Sequence, residues 1–312
     1  MGTGKFPLFL AGNRSTELGR LFGLLQAPTV VWEVDMSLRV FRPVPLLASY
    51  VDAYWDYQDL TGEANSFLSI LPDTATYLCF LYDAPLLTTH KTSTYRTRSG
   101  LAGFQSFRSD LSGSGAISGV SARLTPWGLN VFRRGIVKDC AERRVDCRDI
   151  FPKYTIERIE DDLARIATAE ERVAYIEHHL LSIFSPQNDD LVVRRACEQL
   201  AASKGNCRIA DLASGLGLTK RTLERRFVNQ IGATPKKVSR VIRLRNAIIE
   251  RTRLPSWAEV AHTTGYYDQS HMIHDFLEIY GMTPEAVYPQ VQSSPTFRFS
   301  GLLDLSSSAP KP

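Results

Sequence analysis

Between residues 208 and 288 the apolar positions follow one short pattern, used twice. Thr219, Leu223, Phe227, Gly232, Thr234 and Pro235 are matched by Asp268, Met272, Phe276, Gly281, Thr283 and Pro284, with a repeat of 49 residues. Thr219 and Asp268 suit a helix N-cap, and the residues four and eight positions later share one helical face, which a small domain buries. Gly232 and Gly281 suit the left-handed residue that ends such a helix. Thr234-Pro235 and Thr283-Pro284 then restart one, with Pro where its missing N–H is not needed. Ala213 with Gly217, and Ala261 with Gly265, repeat a helix and tight turn upstream. The pattern predicts two helix-turn-helix units joined by a helix from Pro235 to about Thr252, roughly 27 Å long at about 1.5 Å per residue.

The N-terminal part carries a different pattern. Short apolar or alternating runs at Val30 to Val34, Phe67 to Leu71, Tyr77 to Tyr82, Leu101 to Phe104 and Ile117 to Leu124 read as strands. Pro72-Asp73, Asp83 to Pro85 and Ser112 to Gly115 read as turns. Leu46, Leu47, Tyr50, Val51 and Tyr54 keep helical spacing after Pro45 and predict one helix among the strands. Ile156, Ile159, Leu163 and Ile166, then Val173, Ile176, Leu180 and Ile183, predict a helical hairpin over 155–184, with Thr168 and Glu171 as a capping box. Its stripe suits either packing on the β-rich domain or a seam between two chains. The expected fold class is α+β in two domains. A β-rich, barrel-like N-terminal domain with flanking helices spans 1–184, a linker 185–190, an all-α tandem helix-turn-helix domain 191–290, and a Ser- and Pro-rich disordered tail 291–312.

The residues just quoted, together with Ile209 to Ala213, Leu216 to Thr219, Arg221, Arg225, Ala258 to Ala261 and Gly265 to His271, resemble the AraC/XylS family of transcription regulators. That resemblance implies a tandem helix-turn-helix domain that binds double-stranded DNA, a homodimer and, for an activator, RNA polymerase as a partner. Pro43 to Trp55, Ile70 to Asp73 and Gly119 to Gly128 also resemble the sensor domain of a subset of these regulators. Thr74 to Thr76 stand where a Gly and an acidic residue are expected there. The resemblance implies a small-molecule effector on the N-terminal domain; the alternatives are a ligand-independent dimeriser and an enzyme domain fused to a DNA-targeting domain.

The predicted reading residues follow from the repeat. In each unit the second helix presents its first turns to base edges, and the positions one, two, five and six after the cap face outward. These are Lys220, Arg221, Glu224 and Arg225 in the first unit, and Gln269, Ser270, Ile273 and His274 in the second. Arg pairs guanine, Glu accepts from cytosine and Gln pairs adenine. Lys236, Lys237, Arg240 and Arg243 on the joining helix are candidates for phosphates. The second unit carries His274 and Leu277 where the family pattern has basic residues, which implies a weaker phosphate grip.

Charge and composition sharpen this picture. Of the net +4, residues 191–290 carry 15 Lys and Arg against 9 Asp and Glu, whereas residues 1–190 carry 20 against 23. Positive charge is concentrated where phosphate would be met. Before His178 the only histidine is His90, too few for a His-rich metal site, and no nucleophile elbow or phosphate-binding loop is present. Neither a catalytic residue, a metal nor a cofactor is expected. The five cysteines form no CxxC pair, and Cys140 and Cys147 read as plain thiols of a reducing compartment. Phe6 to Ala11 is too short for a leader, Met1-Gly2 lacks the hydroxyl residue of a myristoylation start, and no stretch of about 20 apolar residues would span a bilayer, so the cytoplasm is the expected home. Trp32, Trp55, Trp127 and the tyrosines either line an effector pocket or fill the core. His178-His179 reads as helix surface.

Overall fold

The computed structural model describes residues 30–32, 36–59, 67–90, 93–113 and 115–293. Phe6 to Ala11, the side chain of Trp32 and residues 294–312 of the expected tail lie outside the described residues, whereas residues 291–293 of that tail are the end of a helix, with Val291 buried. Among those described, the N-terminal domain contains two antiparallel sheets. The strands are β1 (Val30–Trp32), β2 (Met36–Phe41), β3 (Val51–Asp59), β4 (Phe67–Ile70), β5 (Thr76–Leu81), β6 (Leu86–His90), β7 (Ser93–Thr97), β8 (Ser99–Ala102), β9 (Ser109–Gly113), β10 (Gly119–Leu124) and β11 (Arg144–Asp146). One sheet has the order β1-β4-β9-β6-β7 and the other β11-β8-β5-β10-β3-β2, so the domain is two stacked sheets rather than a closed barrel.

Two expectations change. The helix predicted from Leu46 to Tyr54 is a turn over residues 45–50 followed by β3. The run Val51 to Asp59 is rich in β-branched and aromatic residues, and it pairs with β2 on one edge and β10 on the other, which outweighs a helical spacing of only five residues. The turn expected at Ser112 to Gly115 begins later, because Ser112 and Gly113 belong to β9. Strand β2 alternates Met36, Leu38 and Val40 with Ser37 and Arg39, a signature outside the predicted runs, whereas β6, β7, β9 and β11 carry no clear apolar pattern.

The six-stranded sheet is covered on both faces. Ala53, Trp55, Tyr57, Tyr77, Cys79, Leu81 and Ala102 pack with Leu86 of the opposite sheet. On the other face Tyr54, Leu78, Phe80, Val120, Ala122 and Leu124 meet the helical hairpin, α2 (Lys153–Arg165) and α3 (Ala169–Ser182), which follows a short helix α1 (Val137–Cys140). Ile156, Ile159, Leu163, Val173, Ile176 and Leu180 are buried there, so the stripe covers the chain's own sheet and is not free to form a seam between chains. The capping box at Thr168 and Glu171 forms as expected. Arg172 crosses from α3 to the sheet and clasps Asp56, with Nε and Nη2 donating at 2.6 and 3.1 Å. Removing either partner would leave a charge buried without its counter-ion.

The C-terminal helices are α4 (Leu191–Ala202), α5 (Ile209–Gly215), α6 (Lys220–Gln230), α7 (Pro235–Glu250), α8 (Trp257–Thr263), α9 (Gln269–Tyr280) and α10 (Pro284–Ser293). The joining helix α7 is slightly shorter than expected. Its first half, through Val238 and Val241, shares an apolar core with α4, α5, α6, the hairpin and the sheet. Its second half, through Leu244, Ala247 and Ile248, belongs to a separate core with α8, α9 and α10, joined from the N-terminal domain by Leu71. The stretch 185–190 is pinned at both ends: at the first, the Ser185 backbone N–H donates to the Val131 carbonyl at 2.7 Å. Asp189 accepts from the Tyr50 hydroxyl at 3.1 Å, and Asp190 caps α4 and takes Arg226 in a two-oxygen contact at 2.9 and 3.0 Å.

The turn over 45–50 docks so closely on the chain after β10 that a Cβ at Gly128 would lie 2.3 Å from the Tyr50 carbonyl oxygen. A backbone atom cannot swing aside as a side chain can, so Gly128→Ala is expected to cost about 1–3 kcal/mol in urea unfolding. Gly215 is helical and a Cβ there meets nothing within 4 Å. Gly215→Ala should therefore be neutral or stabilising by up to about 1 kcal/mol. Equal effects from the two substitutions would contradict this packing.

Candidate nucleic-acid interface

Each helix-turn-helix unit is assembled from the same parts. Thr219 accepts from the backbone N–H of Thr222 to start α6, and Asp268 accepts from that of His271 at 2.7 Å to start α9. Gly217 and Gly265, with φ of +68° and +78°, make the tight turns that precede these helices. Leu223, Phe227, Met272 and Phe276 are fully buried, which fixes the rotation of both helices. Their caps and first turns consequently face outward, where the partial positive end of each helix suits phosphate.

The eight predicted base-facing residues lie on this outer face. Arg221 and Arg225 are exposed and make no ion pair among the described residues, whereas Lys220 approaches Glu224 at 3.9 Å, a weak contact in water. In α9, Ser270 and His274 are exposed, and Gln269 and Ile273 are half-buried. His274 Nδ1 lies 3.9 Å from a Glu278 oxygen. The spacing in the sequence also missed Tyr267, which is 93% exposed immediately before the cap of α9.

The four phosphate candidates on α7 divide. Lys236 is exposed, and Lys237 pairs with Glu142 of the N-terminal domain at 3.1 Å. Arg240 is engaged within the domain, reaching Asp275 at 2.7 Å and Glu278 at 2.6 Å. The hydrogen bond from Arg240 holds the exposed Glu278 carboxyl below the usual carboxylate range. Arg243 donates to the Gly205 carbonyl at 3.2 Å and lies over the Tyr266 ring. Both arginines tie α7 to neighbouring elements, a use that residue type alone could not reveal.

His274, Asp275 and Glu278 bring their donor atoms within 4.8 Å of one another, a spacing a metal ion could use. Asp275 and Glu278 are already bridged by the Arg240 guanidinium, which supplies the positive charge this cluster needs. Cys140 and Cys147 are both buried, and burial pushes the Cys140 thiol up to about 12 and Cys147 well above its ordinary value, so neither is a ready thiolate. Among the described residues no helix is long and apolar enough to cross a membrane.

Free and engaged arginines should respond differently to truncation. Arg225→Ala is expected to remove about 1–3 kcal/mol of DNA binding and to relax base preference at one position, with little change in unfolding midpoint. Arg240→Ala should instead lower stability, because Asp275, 4% exposed, loses its counter-ion. Binding isotherms and urea curves on both variants check this, and a stable Arg240 variant with a reduced salt slope would reassign that side chain to phosphate.

Residues 212–288 match the family model described as a helix-turn-helix domain. No curated protein matches the chain. Among solved structures, the chain is similar to ToxT from Vibrio cholerae, at 12% identity over 84% of this chain and 97% of that one, with a TM-score of 0.43. A ToxT structure from strain SCE256 with an unsaturated fatty acid bound gives 12% identity, coverage of 83% and 94%, and a TM-score of 0.42. The AraC-like transcriptional activator CuxR gives 12% identity, coverage of 72% and 88%, and a TM-score of 0.24. With the two capped reading helices and the 49-residue repeat already described, the family match identifies residues 212–288 of this chain as an AraC-type helix-turn-helix domain.

Proposed function

We propose that the protein is a sequence-specific DNA-binding transcription regulator, controlled by a small molecule bound between the sheets of its N-terminal domain. The observation that carries the DNA reading is the pair of recognition helices, each fixed in rotation by two fully buried side chains, with Arg221 and Arg225 exposed and in no ion pair among the described residues. α7, of 16 residues, is roughly 24 Å long at about 1.5 Å per residue, a span of the same order as the roughly 34 Å between successive major-groove segments. The first unit supplies most of the affinity and the second tunes specificity.

The effector reading rests on the face between the sheets. There Ala53, Cys79, Ala75 and Ala102 are small, while the Trp55 and Tyr77 rings meet at a 37° tilt with centroids 5.5 Å apart. The Trp55 indole N–H is buried without a partner among the described residues, which is costly unless something accepts from it. Trp127 is excluded from this role, because it packs on the opposite face and donates to the Ser49 carbonyl at 2.9 Å.

Selection of duplexes from a random pool by the full chain should recover one preferred sequence with two read segments. Its binding should weaken steeply with salt, by a log–log slope of about 0.9 for each phosphate contacted. Recovery of no sequence, or binding that ignores salt, would sink the regulator reading. For the effector, a metabolite library screened by thermal shift should raise the midpoint with at least one ligand, by mass action on the native state. That shift should shrink in Trp55→Phe, and a shift indifferent to Trp55 would move the effector elsewhere.

A further inference from the structure

One carboxylate connects the interior of the N-terminal domain to the second reading unit. Asp73 follows β4 and is 3% exposed, held in a single bridge to Gln105. It accepts from the Thr74 backbone N–H at 2.6 Å, from the Tyr77 hydroxyl, from Arg123 Nη2 at 2.9 Å and from Arg245 Nη1. Arg123, on the face of β10 between the sheets, also donates to Asp52. Asp52, Arg123, Asp73 and Arg245 thus alternate in sign, two charges of each, and end on α7. Arg123, Asp73 and Arg245 are buried and Asp52 is nearly so, so each charge depends on its neighbours for compensation.

Where Arg245 sits on α7 decides what this chain of charges can do. Val238 and Val241, before it, lie in the core shared with the sheet and the first unit, whereas Leu244, Ala247 and Ile248, around and after it, lie in the second unit's own core. The first unit is thereby fused to the N-terminal domain by apolar packing. Among the described residues the second meets that domain at Leu71, where α10 lies against β1, at Arg108, which donates to Met282 Sδ at 3.3 Å, and at Arg245, which carries the buried ion pair. Further grips fall on the first unit and the start of α7: Asn130 donates to the Gln230 carbonyl at 3.2 Å, and Glu142 takes Lys237. None of these contacts uses any of the eight base-facing residues, so the described part of the N-terminal domain holds the reading units away from their outer face.

We propose that Asp73 is a positioning residue for DNA reading: through Arg245 it braces the second unit against the first, so that both recognition helices are already placed for one face of a duplex. The proposal rests on the regulator reading above. A brace of this kind raises affinity by removing an ordering cost that a loosely hinged second unit would meet on binding. It also joins the reading units to the space between the sheets, because Asp73 shares its oxygens between Arg123 and Arg245.

The test uses the full chain and a duplex selected by the wild-type protein. The double variant D73N/R245M removes the interdomain pair and keeps the interior neutral, since Asp52 and Arg123 still compensate each other. It should retain hydroxyl-radical protection and base preference over the segment sensitive to Arg225→Ala, lose both over the segment sensitive to Gln269→Ala, and bind roughly tenfold more weakly. R245K, which keeps the charge but not the forked geometry, is read in the same way and should weaken the second segment only, so the question survives if the double variant does not fold. Wild-type binding with both segments protected, parallel weakening of both segments, or tighter binding by either variant would overturn the brace. Wild-type protein that selects no sequence would instead overturn the regulator reading, and the brace with it.

Discussion

The structure depends on the largest of its apolar cores, which does not stop at the boundary between its two halves. It runs from the outer face of the six-stranded sheet, through Ile156, Leu163 and Ile176 of the hairpin, into Leu200, Leu223, Phe227 and Val241 of the first reading unit. Each fully buried Leu or Phe side chain of this kind stabilises by about 1.5–3 kcal/mol relative to exposure. Because the contributions are shared across the boundary, the first unit cannot turn freely against the N-terminal domain. The hairpin is therefore a structural spacer between sheet and reader, which explains why its stripe is spent on this chain.

Buried charge does what apolar packing leaves undone. Arg172 with Asp56 fixes the hairpin's second helix on the sheet, and Arg240 with Asp275 fixes α9 on α7. Ion pairs of this type add little net stability, because desolvation opposes the Coulomb attraction, but they tolerate only one geometry. The directional pairs are accordingly found where one element must keep a set angle to another. Asp73 with Arg245 joins the two halves at the residue on α7 where one core gives way to the next.

The reading face is built by contrast rather than by addition. Of the basic residues on α6 and α7, Arg226, Lys237, Arg240 and Arg243 are drawn into contacts with the protein, and Arg221 and Arg225 are left for solvent. An arginine held bidentate by a carboxylate has little to offer a phosphate, whereas an uncommitted one keeps its full fork for a guanine edge. Net charge in this region consequently overstates the number of cations that DNA would meet.

Much of the C-terminal half was legible from residue order alone. Caps, glycine turns and inward side chains recur every 49 residues, and each acts within a few residues of itself, so local rules suffice to place α6, α7 and α9. The same local rules fail at Val51 and Tyr54, where a helical spacing yields to two neighbouring strands that are far away in sequence. They also miss β6, β7 and β9, whose polar sequences become strands because partners complete their hydrogen bonds. Arg245 carried a legible hint, a charge four residues after Val241 on a face otherwise apolar, but nothing in the order of residues says that its partner is Asp73. The sequence determined the reading helices because capping and amphipathic burial act along the chain. Only the tertiary structure decided which arginines remain free and where the second unit is held, because those outcomes depend on counter-charges brought in from as far as 172 residues away.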